Sequence, residues 1–356
     1  MDPKSPESRP VAPRPPALKL PQRRTVVSDT EIVATPPKPS ATGESESAHL
    51  HSLMLDLGGR YRERGYYGLD SGFRALNPVI NGLSQGLYVL LGPPTIGKTA
   101  LAKQIADQVA QLNEVPVLFF TFVHSADDLR MRTLARIAGV ELAEIMNGKT
   151  DRVMETFPKR EMTRVWDLVE DAAKQYGAFG SRMQVIEAGR RTAFETLRQT
   201  AHDAKREAGA DQILMVFDHL QAMPLAGGNS PDACGVDEIC FDLRRLARSL
   251  NSPVLLVSSE AHEAYKGNRM PTLSALKSAE GMGYAADVIL AMWEDQTISK
   301  RLTRESPGMR NVNLILLKNR RGNLAQFTAM FHPGTSRFMN LEKSDQPYDR
   351  FDAMQG

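Results

Sequence analysis

Short apolar runs recur along the chain between about residue 66 and residue 341. They are rich in branched and aromatic side chains, and several are apolar at successive positions rather than at alternate ones. Continuous apolar runs of this length are typical of strands that are covered on both faces in a parallel sheet. The runs occupy residues 87–91, 115–122, 183–186, 213–217, 254–258, 288–292 and 312–317.

Stretches with helical spacing of apolar residues separate these runs, and the clearest covers residues 100–112. A chain that alternates strands with helices folds as a doubly wound α/β domain, because each helix carries the chain back across the sheet. The pattern therefore predicts an α/β fold with a mostly parallel sheet that is flanked by helices.

The two ends of the chain have a different composition. Ten of the 22 prolines fall within the first 40 residues, so residues 1–45 are predicted to be a disordered Pro-rich tail. This tail could dock on a protein partner or serve only as a flexible extension. Residues 46–65 are predicted to be a linker with a short amphipathic helix, residues 66–341 the globular domain, and residues 342–356 a flexible C-terminal tail. The apolar positions of the linker helix are Leu50, Leu53, Met54 and Leu57.

Composition narrows the function only a little. The formal net charge of +2 leaves a nucleic-acid partner open without requiring one. Cys234 and Cys240 match no metal or redox motif, so both are predicted to be unpaired thiols. No apolar run approaches the ~20 residues that a membrane-spanning helix needs. The N-terminus also lacks the apolar stretch of a secretory signal. We therefore expect a cytoplasmic protein without a membrane partner.

A phosphate-binding motif lies between the predicted strand at residues 86–91 and the predicted helix at 100–112. The sequence Gly-Pro-Pro-Thr-Ile-Gly-Lys-Thr satisfies the pattern G-x-x-x-x-G-K-[ST] in the strand–loop–helix context that it requires. Lys98 is expected to reach the β- and γ-phosphates of ATP, and the Thr99 hydroxyl to bind Mg²⁺. The predicted nucleotide-binding residues are Gly92, Pro93, Pro94, Thr95, Ile96, Gly97, Lys98, Thr99 and Ala100.

An acidic residue fits the same site. The apolar run at residues 213–217 ends in Asp218, an arrangement in which the carboxylate holds the water shell of the metal. The alternative is an aspartate that caps the next turn. With the phosphate-binding loop present, we favour the metal role for Asp218 beside Thr99, and ATP with Mg²⁺ as the cofactors.

The order of these elements resembles the C-terminal motor domain of the DnaB-type replicative helicases, which are hexameric RecA-like ATPases. The resemblance extends over five segments and covers about residues 66–341, while the family's N-terminal helical domain has no counterpart in the pattern. It implies a RecA-like P-loop core, ATP hydrolysis, a homo-oligomeric ring such as a hexamer, and a role as a DNA-dependent motor or replication accessory. The segments are residues 68–73 with 82–83, residues 92–99, residues 218–223, residues 273–277 with 286–289, and residues 318–322.

The resemblance also implies roles for individual basic residues. Lys318 and Arg320 stand where the family places a basic sensor and an arginine finger, which enter the ATP site of the neighbouring subunit; the alternative is an exposed basic turn. The loop at residues 259–277 stands where family members contact single-stranded DNA, and the alternative is a solvated surface loop. Its candidate DNA-binding residues are Lys266, Arg269 and Lys277.

The chain departs from the family pattern at the catalytic base. Val123 occupies the position of the family's catalytic Glu, and neither His219, Ser259 nor Ala275 matches its family counterpart. Loss of a general base lowers a rate by roughly 10²–10⁴, so a non-hydrolysing or weakly hydrolysing assembly module that acts through a protein partner is the alternative function. A RecA-like regulator without strand separation is a third reading. The residues that could substitute for the base are His124, Asp127, Asp128 and Glu260.

Overall fold

The computed structural model describes residues 50–51, 54–55, 65–149, 151–156, 161–189, 191–223, 233–259, 271–272, 280–295, 298–300 and 308–343. The helices are α1 (Asn77–Ile80), α2 (Lys98–Leu112), α3 (Ala126–Ala138), α4 (Leu142–Met146), α5 (Val165–Gly180), α6 (Phe194–Ala208), α7 (Ala233–Ser249) and α8 (Glu280–Ala285). The strands are β1 (Gly86–Gly92), β2 (Val117–Thr121), β3 (Val153–Thr156), β4 (Glu161–Arg164), β5 (Met183–Glu187), β6 (Leu214–Asp218), β7 (Pro253–Ser259), β8 (Val288–Glu294), β9 (Arg310–Asn319), β10 (Gln326–His332) and β11 (Arg337–Lys343).

A nine-stranded mixed sheet forms the centre of the domain, in the order β11-β10-β9-β8-β1-β7-β6-β2-β5. The six strands from β8 to β5 are parallel. Strands β9, β10 and β11 continue the sheet as antiparallel neighbours. The predicted fold class, a mostly parallel sheet flanked by helices, is confirmed. Strands β3 and β4 form a separate antiparallel hairpin.

Each of the seven predicted runs contains a strand, although the ends differ. Strand β2 begins at Val117 rather than at residue 115, after Glu114 adopts a left-handed backbone with φ of 56°. Helix α2 begins at Lys98, two residues before the predicted start. Strands β10 and β11 were not predicted. In β10, buried and half-buried residues alternate, so it has no continuous apolar run.

Two apolar layers, one on each face of the sheet, explain why the central runs are apolar at every position. In β1, Leu90 packs into the layer beneath α2, whereas Leu91 packs into the opposite layer, beneath α7. The same alternation places Phe119 in the first layer, while Phe120 stacks on Phe217 in the second with ring centroids 4.8 Å apart. Both faces of these strands are therefore buried, which explains why their apolar side chains stand at successive positions.

A buried polar network joins α2 to α3. The Lys103 ammonium lies 2.5 Å from Asp107 and also donates to the Thr133 hydroxyl, and Arg136 donates to the same aspartate at 2.6 Å. Burial lowers the pKa of Lys103, while the Asp107 carboxylate opposes that shift. Each charge in the network has a partner, so the loss of one of them would leave an uncompensated buried charge between the two helices.

Several predictions concern parts of the chain that the structure describes only partly. Within the predicted linker the structure describes residues 50–51 and 54–55, which are helical, and β11 ends at Lys343; the predicted boundaries at 45, 65 and 341 stay predictions. Residues 1–45 and 344–356 lie outside the described residues. Within the described part of the chain, no helix is long and apolar enough to cross a membrane, and Cys240 is a buried free thiol.

Candidate nucleotide-binding site

The predicted phosphate-binding loop joins the carboxyl end of β1 to the start of α2. Gly97 directly precedes α2 with a φ of 102°, a conformation that side chains rarely adopt. A Cβ atom at this position would also lie 2.7 Å from the Phe331 ring. Phe331 of β10 and Phe338 of β11 stack with ring centroids 4.3 Å apart. The loop therefore rests on an aromatic pair from the antiparallel strands, and only glycine fits there.

Lys98 is the first residue of α2 and lies inside the loop. Its side chain is buried, and the ammonium donates to the Pro93 carbonyl oxygen at 2.8 Å. Burial lowers the pKa of Lys98 to about 8, and the Asp218 carboxylate partly opposes that shift. An ammonium has three donors, so Lys98 keeps hydrogen-bonding capacity for a phosphate oxygen in the loop.

Thr99 and Asp218, the two predicted metal residues, are brought together by the fold. The Thr99 hydroxyl donates to one Asp218 carboxylate oxygen at 3.2 Å. The other oxygen, Oδ2, is buried and has no hydrogen-bond partner within the described residues. Burial raises the pKa of Asp218, whereas Thr99, His124, His219 and Lys98 lower it. An unpartnered carboxylate oxygen beside a threonine hydroxyl fits a hydrated Mg²⁺ ion that is bound to ATP phosphates.

Affinity for ATP is expected to fall as the pH rises above about 8. Below the pKa of about 8, Lys98 of the ligand-free protein is charged; above it, Lys98 must take up a proton to pair with a phosphate. The dissociation constant should therefore rise by up to about tenfold per pH unit above that value. Calorimetric titrations in buffers of different ionisation enthalpy, between pH 7 and 9.5, measure both the affinity and the proton uptake. Lys98→Arg is the control, because arginine stays charged; an equal pH dependence in that variant would contradict the assignment.

The carboxyl end of β2 lies beside Asp218, since Thr121 pairs with Asp218 in the sheet register. The Thr121 hydroxyl accepts from the His124 backbone amide and donates to the His124 carbonyl oxygen, which fixes the turn after the strand. Val123, at the position of the family's Glu, is 59% exposed and has no group that can orient water. Of the four candidate substitutes, His124 and Asp128 contact each other at 3.0 Å. Asp127 pairs with Arg130 on the surface, and Glu260 lies outside the described residues.

The basic turn with Lys318 and Arg320 lies at the opposite edge of the sheet. Lys318 pairs with Ile289 near the start of β8, whereas the phosphate loop follows the end of β1, which is parallel to β8. The six residue steps from Gly86 to Gly92 span about 20 Å. Neither side chain can therefore reach the phosphate loop of its own subunit.

Within its own chain, the turn is held by backbone oxygens and one carboxylate. The Lys318 ammonium donates to the carbonyl oxygens of Gly283 and Ala286 at 2.6 and 2.7 Å, and burial lowers its pKa. Arg320 donates to the Tyr284 carbonyl oxygen at 3.1 Å and lies 3.3 Å from Asp287, with 42% of its side chain exposed. Much of the Arg320 side chain is therefore open to solvent, whereas the Lys318 ammonium is engaged within the chain.

Two contacts near the loop were not foreseen from the sequence. Arg310, at the start of β9, donates to the Thr95 carbonyl oxygen at 3.2 Å across a separation of 215 residues. The Gln221 side chain binds the Ser258 hydroxyl and both backbone groups of Ser259, which ties the segment after β6 to the end of β7. Arg310 belongs to no local motif, and Gln221 lies in the family-like segment 218–223, but no pattern in the sequence points to the partners of either residue. The predicted DNA-binding residues Lys266, Arg269 and Lys277 lie outside the described residues, so their role stays a prediction.

Comparison with known proteins supports the resemblance. The family model described as "DnaB-like helicase C terminal domain" matches residues 68–340. The replicative DNA helicase DnaB of Haemophilus influenzae is 26% identical over 290 residues, which are 81% of this chain and 58% of that protein. DnaB of Geobacillus stearothermophilus is 25% identical over 294 residues, which again cover 81% of this chain and 58% of that protein. The chain thus spans little more than half the length of these relatives.

Two solved structures show the same fold. One, an isolated ATPase domain, superimposes with a TM-score of 0.71 at 20% identity, covering 84% of this chain and 100% of that one. A DnaB-like replicative helicase, described with its interactions with primase, gives a TM-score of 0.69 at 20% identity and covers 84% of this chain and 67% of that one. The fold is therefore a RecA-like α/β P-loop NTPase core. With a family match over most of its length, the chain belongs to the DnaB-like helicase C-terminal domain family.

Proposed function

We propose that this chain is a DNA-dependent motor domain that binds ATP with Mg²⁺ and hydrolyses it at the interface between two subunits. The observation that carries the proposal is the convergence of Lys98, Thr99 and Asp218 around one loop. Lys98 supplies positive charge for the β- and γ-phosphates. Thr99 and Asp218 supply a hydroxyl and a carboxylate for the metal, which stabilises charge on the transferring phosphoryl group.

The placement of the basic turn supports hydrolysis between subunits. Each chain carries a phosphate loop at one edge of its sheet and an exposed Arg320 at the other edge. A head-to-tail contact would bring the Arg320 of one subunit to the loop of the next, and such heterologous contacts form a ring when the rotation between subunits closes. A homo-oligomeric ring, with a hexamer as in the family, is therefore part of the proposal.

Single-stranded DNA is the proposed polymer on which the motor acts. The relatives that match this chain bear the name replicative DNA helicase, and the segment with Lys266, Arg269 and Lys277 provides positive charge for a phosphate backbone. Contacts of this kind bind without reading base sequence and weaken as the salt concentration rises. The proposal therefore includes affinity for DNA that depends on salt and not on sequence.

Steady-state ATP hydrolysis with and without single-stranded DNA tests this function. We expect turnover that requires Mg²⁺ and that rises when DNA of mixed sequence is added at low salt. The stimulation should decline between 50 and 200 mM salt, because phosphate contacts dominate the affinity. The triple variant Lys266→Ala, Arg269→Ala, Lys277→Ala should keep the basal rate and lose the stimulation. Turnover that ignores DNA at every salt concentration would reject the motor.

A nucleotide-binding module that does not hydrolyse ATP is the second candidate, and Val123 favours it because valine cannot orient a water molecule. The same assay distinguishes the two, since the module binds ATP without turnover in the presence or absence of DNA.

An unwinding assay on a forked duplex then separates a helicase from a RecA-like regulator that hydrolyses ATP without strand separation. Deletion of residues 1–45 tests whether a protein partner docks on the Pro-rich tail, because such a partner would no longer bind the shortened chain.

A further inference from the structure

We propose that His124, held by Asp128, takes the role of the missing carboxylate and accepts the proton of the water that attacks ATP. This inference rests on the proposed function, because it names the base for that same site. It accounts for a core that retains Lys98, Thr99 and Asp218 while a valine occupies the position of the catalytic Glu.

The turn after β2 places His124 at the catalytic edge of the sheet. Thr121, the last residue of β2, pairs with Asp218, and its hydroxyl bonds to both backbone groups of His124. The backbone of His124 is therefore fixed three residues beyond a strand that adjoins the metal-site carboxylate. Val123, at the position of the family's Glu, directly precedes His124 and is exposed to solvent. The ionisable imidazole of His124 therefore stands one residue beyond the position of that Glu.

The imidazole is oriented through its Nδ1 atom. Nδ1 lies 3.0 Å from an Asp128 carboxylate oxygen, and a carboxylate only accepts, so Nδ1 is the donor and Nε2 is the nitrogen that can accept a proton from water in the neutral ring. Arg132 binds the same carboxylate at 3.2 Å, and the Asp128 backbone amide donates to Ser125 at the start of α3. A histidine whose second nitrogen is fixed by a carboxylate is the arrangement that general bases use in hydrolases.

The His124 ring lies near the proposed metal site and is open to water. Its turn follows Thr121, which pairs with Asp218, and His124 is among the groups that lower the pKa of the Asp218 carboxylate. Of its side chain, 29% remains exposed, which lets water reach it. His219 differs, because its Nδ1 atom is buried and makes no hydrogen bond within the described residues, so no carboxylate orients its ring through that atom.

The step balances without a further reactant. The water oxygen forms a bond to the γ-phosphorus while the bond from phosphorus to the β–γ bridging oxygen breaks, and that electron pair leaves with ADP. Nε2 of His124 takes a proton from the water and later releases it to solvent. Lys98 neutralises charge on the phosphoryl oxygens, and a Mg²⁺ ion held by Thr99 and Asp218 would add positive charge there.

Replacement of His124 by glutamine tests the inference. We expect kcat to fall about 10²–10⁴-fold, as for loss of a general base, while the ATP dissociation constant, measured on the same preparation, changes less than threefold. Asp128→Asn should lower kcat by about 10–100-fold in the same way, because the ring loses its orientation. The matched control is His202→Gln, a histidine on α6 that contacts Ser249, which should behave as the wild type.

Restoring the family residue provides the decisive comparison. In a Val123→Glu background a carboxylate is again available, so His124→Gln should cost less than about tenfold instead of 10²–10⁴-fold. Equal losses in both backgrounds, or a loss of ATP affinity that matches the loss of kcat, would assign His124 a structural role and overturn the inference. Wild-type turnover that survives His124→Gln would overturn the inference alone. Absence of turnover in the wild type would instead overturn the proposed function together with it.

Discussion

Replacement of Arg320 by alanine is expected to lower kcat for ATP hydrolysis by about 10³–10⁵-fold, the range measured for arginine fingers. The affinity for ATP should change little, because a finger of this kind stabilises charge that develops only in the transition state. Its guanidinium bonds only to Tyr284 and Asp287 in the described part of the chain, and much of it is exposed. Steady-state hydrolysis and equilibrium binding of ATP measure the two quantities separately.

Arg321→Ala is the control for Arg320, because it removes the same charge from the next position of the same turn. Arg321 donates to the Gln85 carbonyl oxygen at 2.8 Å and to the Ser84 hydroxyl, so its loss should lower the free energy of unfolding by about 1–3 kcal/mol and leave kcat near the wild-type value. If Arg320→Ala and Arg321→Ala lowered kcat equally, the turn would influence hydrolysis only by stabilising the folded domain.

Mixing two inactive variants tests whether Arg320 acts between subunits. A ring assembled from Lys98→Ala and Arg320→Ala chains contains interfaces in which the intact loop of one chain faces the intact Arg320 of the other. Hydrolysis should therefore reappear on mixing, although each variant alone is inactive. If the mixture stayed as inactive as its components while both variants still assembled, Arg320 would not act in trans.

Replacement of Lys98 by alanine should give the second large effect. We expect ATP to bind about 10–100-fold more weakly, because a charge-assisted hydrogen bond contributes about 1.5–3 kcal/mol. Turnover should fall by a further 10²–10³-fold or so, because the ammonium stabilises charge that develops on the transferring phosphoryl group. Binding of a fluorescent ATP analogue and steady-state hydrolysis measure the two losses.

The stability of the ligand-free protein provides a check on Lys98→Ala. Burial lowers the pKa of Lys98, which means that the fold disfavours its charge, so the substitution should not lower the unfolding midpoint appreciably. The control is Lys174→Ala, which removes an exposed lysine that pairs with Asp171 on the surface and should leave ATP binding unchanged. A Lys98→Ala protein that binds ATP normally would remove the basis of the assigned site.

The sequence predicts those parts of the site that are local in the chain. The phosphate loop is a contiguous motif, and Asp218 is recognisable because it ends an apolar run. The contacts of Arg310 with Thr95 and of Gly97 with Phe331 join residues more than 200 positions apart, and only the tertiary fold brings them together. These contacts leave no periodic or local signal in the sequence.

The proposed catalytic base and the strands of the sheet also differ in how far local sequence predicts them. His124 could be named from the sequence only as one of four candidates, because the choice depends on the 3.0 Å contact with Asp128 and on the turn made by Thr121. The parallel strands were predicted because both of their faces are buried. Strand β10 was missed because half-buried residues interrupt its apolar positions, and such a pattern does not stand out from a polar connection.

Strand β9 links the phosphate loop to the basic turn. Its first residue, Arg310, binds the Thr95 carbonyl oxygen of that loop, and Arg320 follows immediately after its last residue. The strand pairs with β10 through residues 310–315 and with β8 through residues 312–319, with a register shift between Leu316 and Lys318. A substitution that displaces β9 would therefore disturb the Arg310–Thr95 contact and the position of Arg320 together.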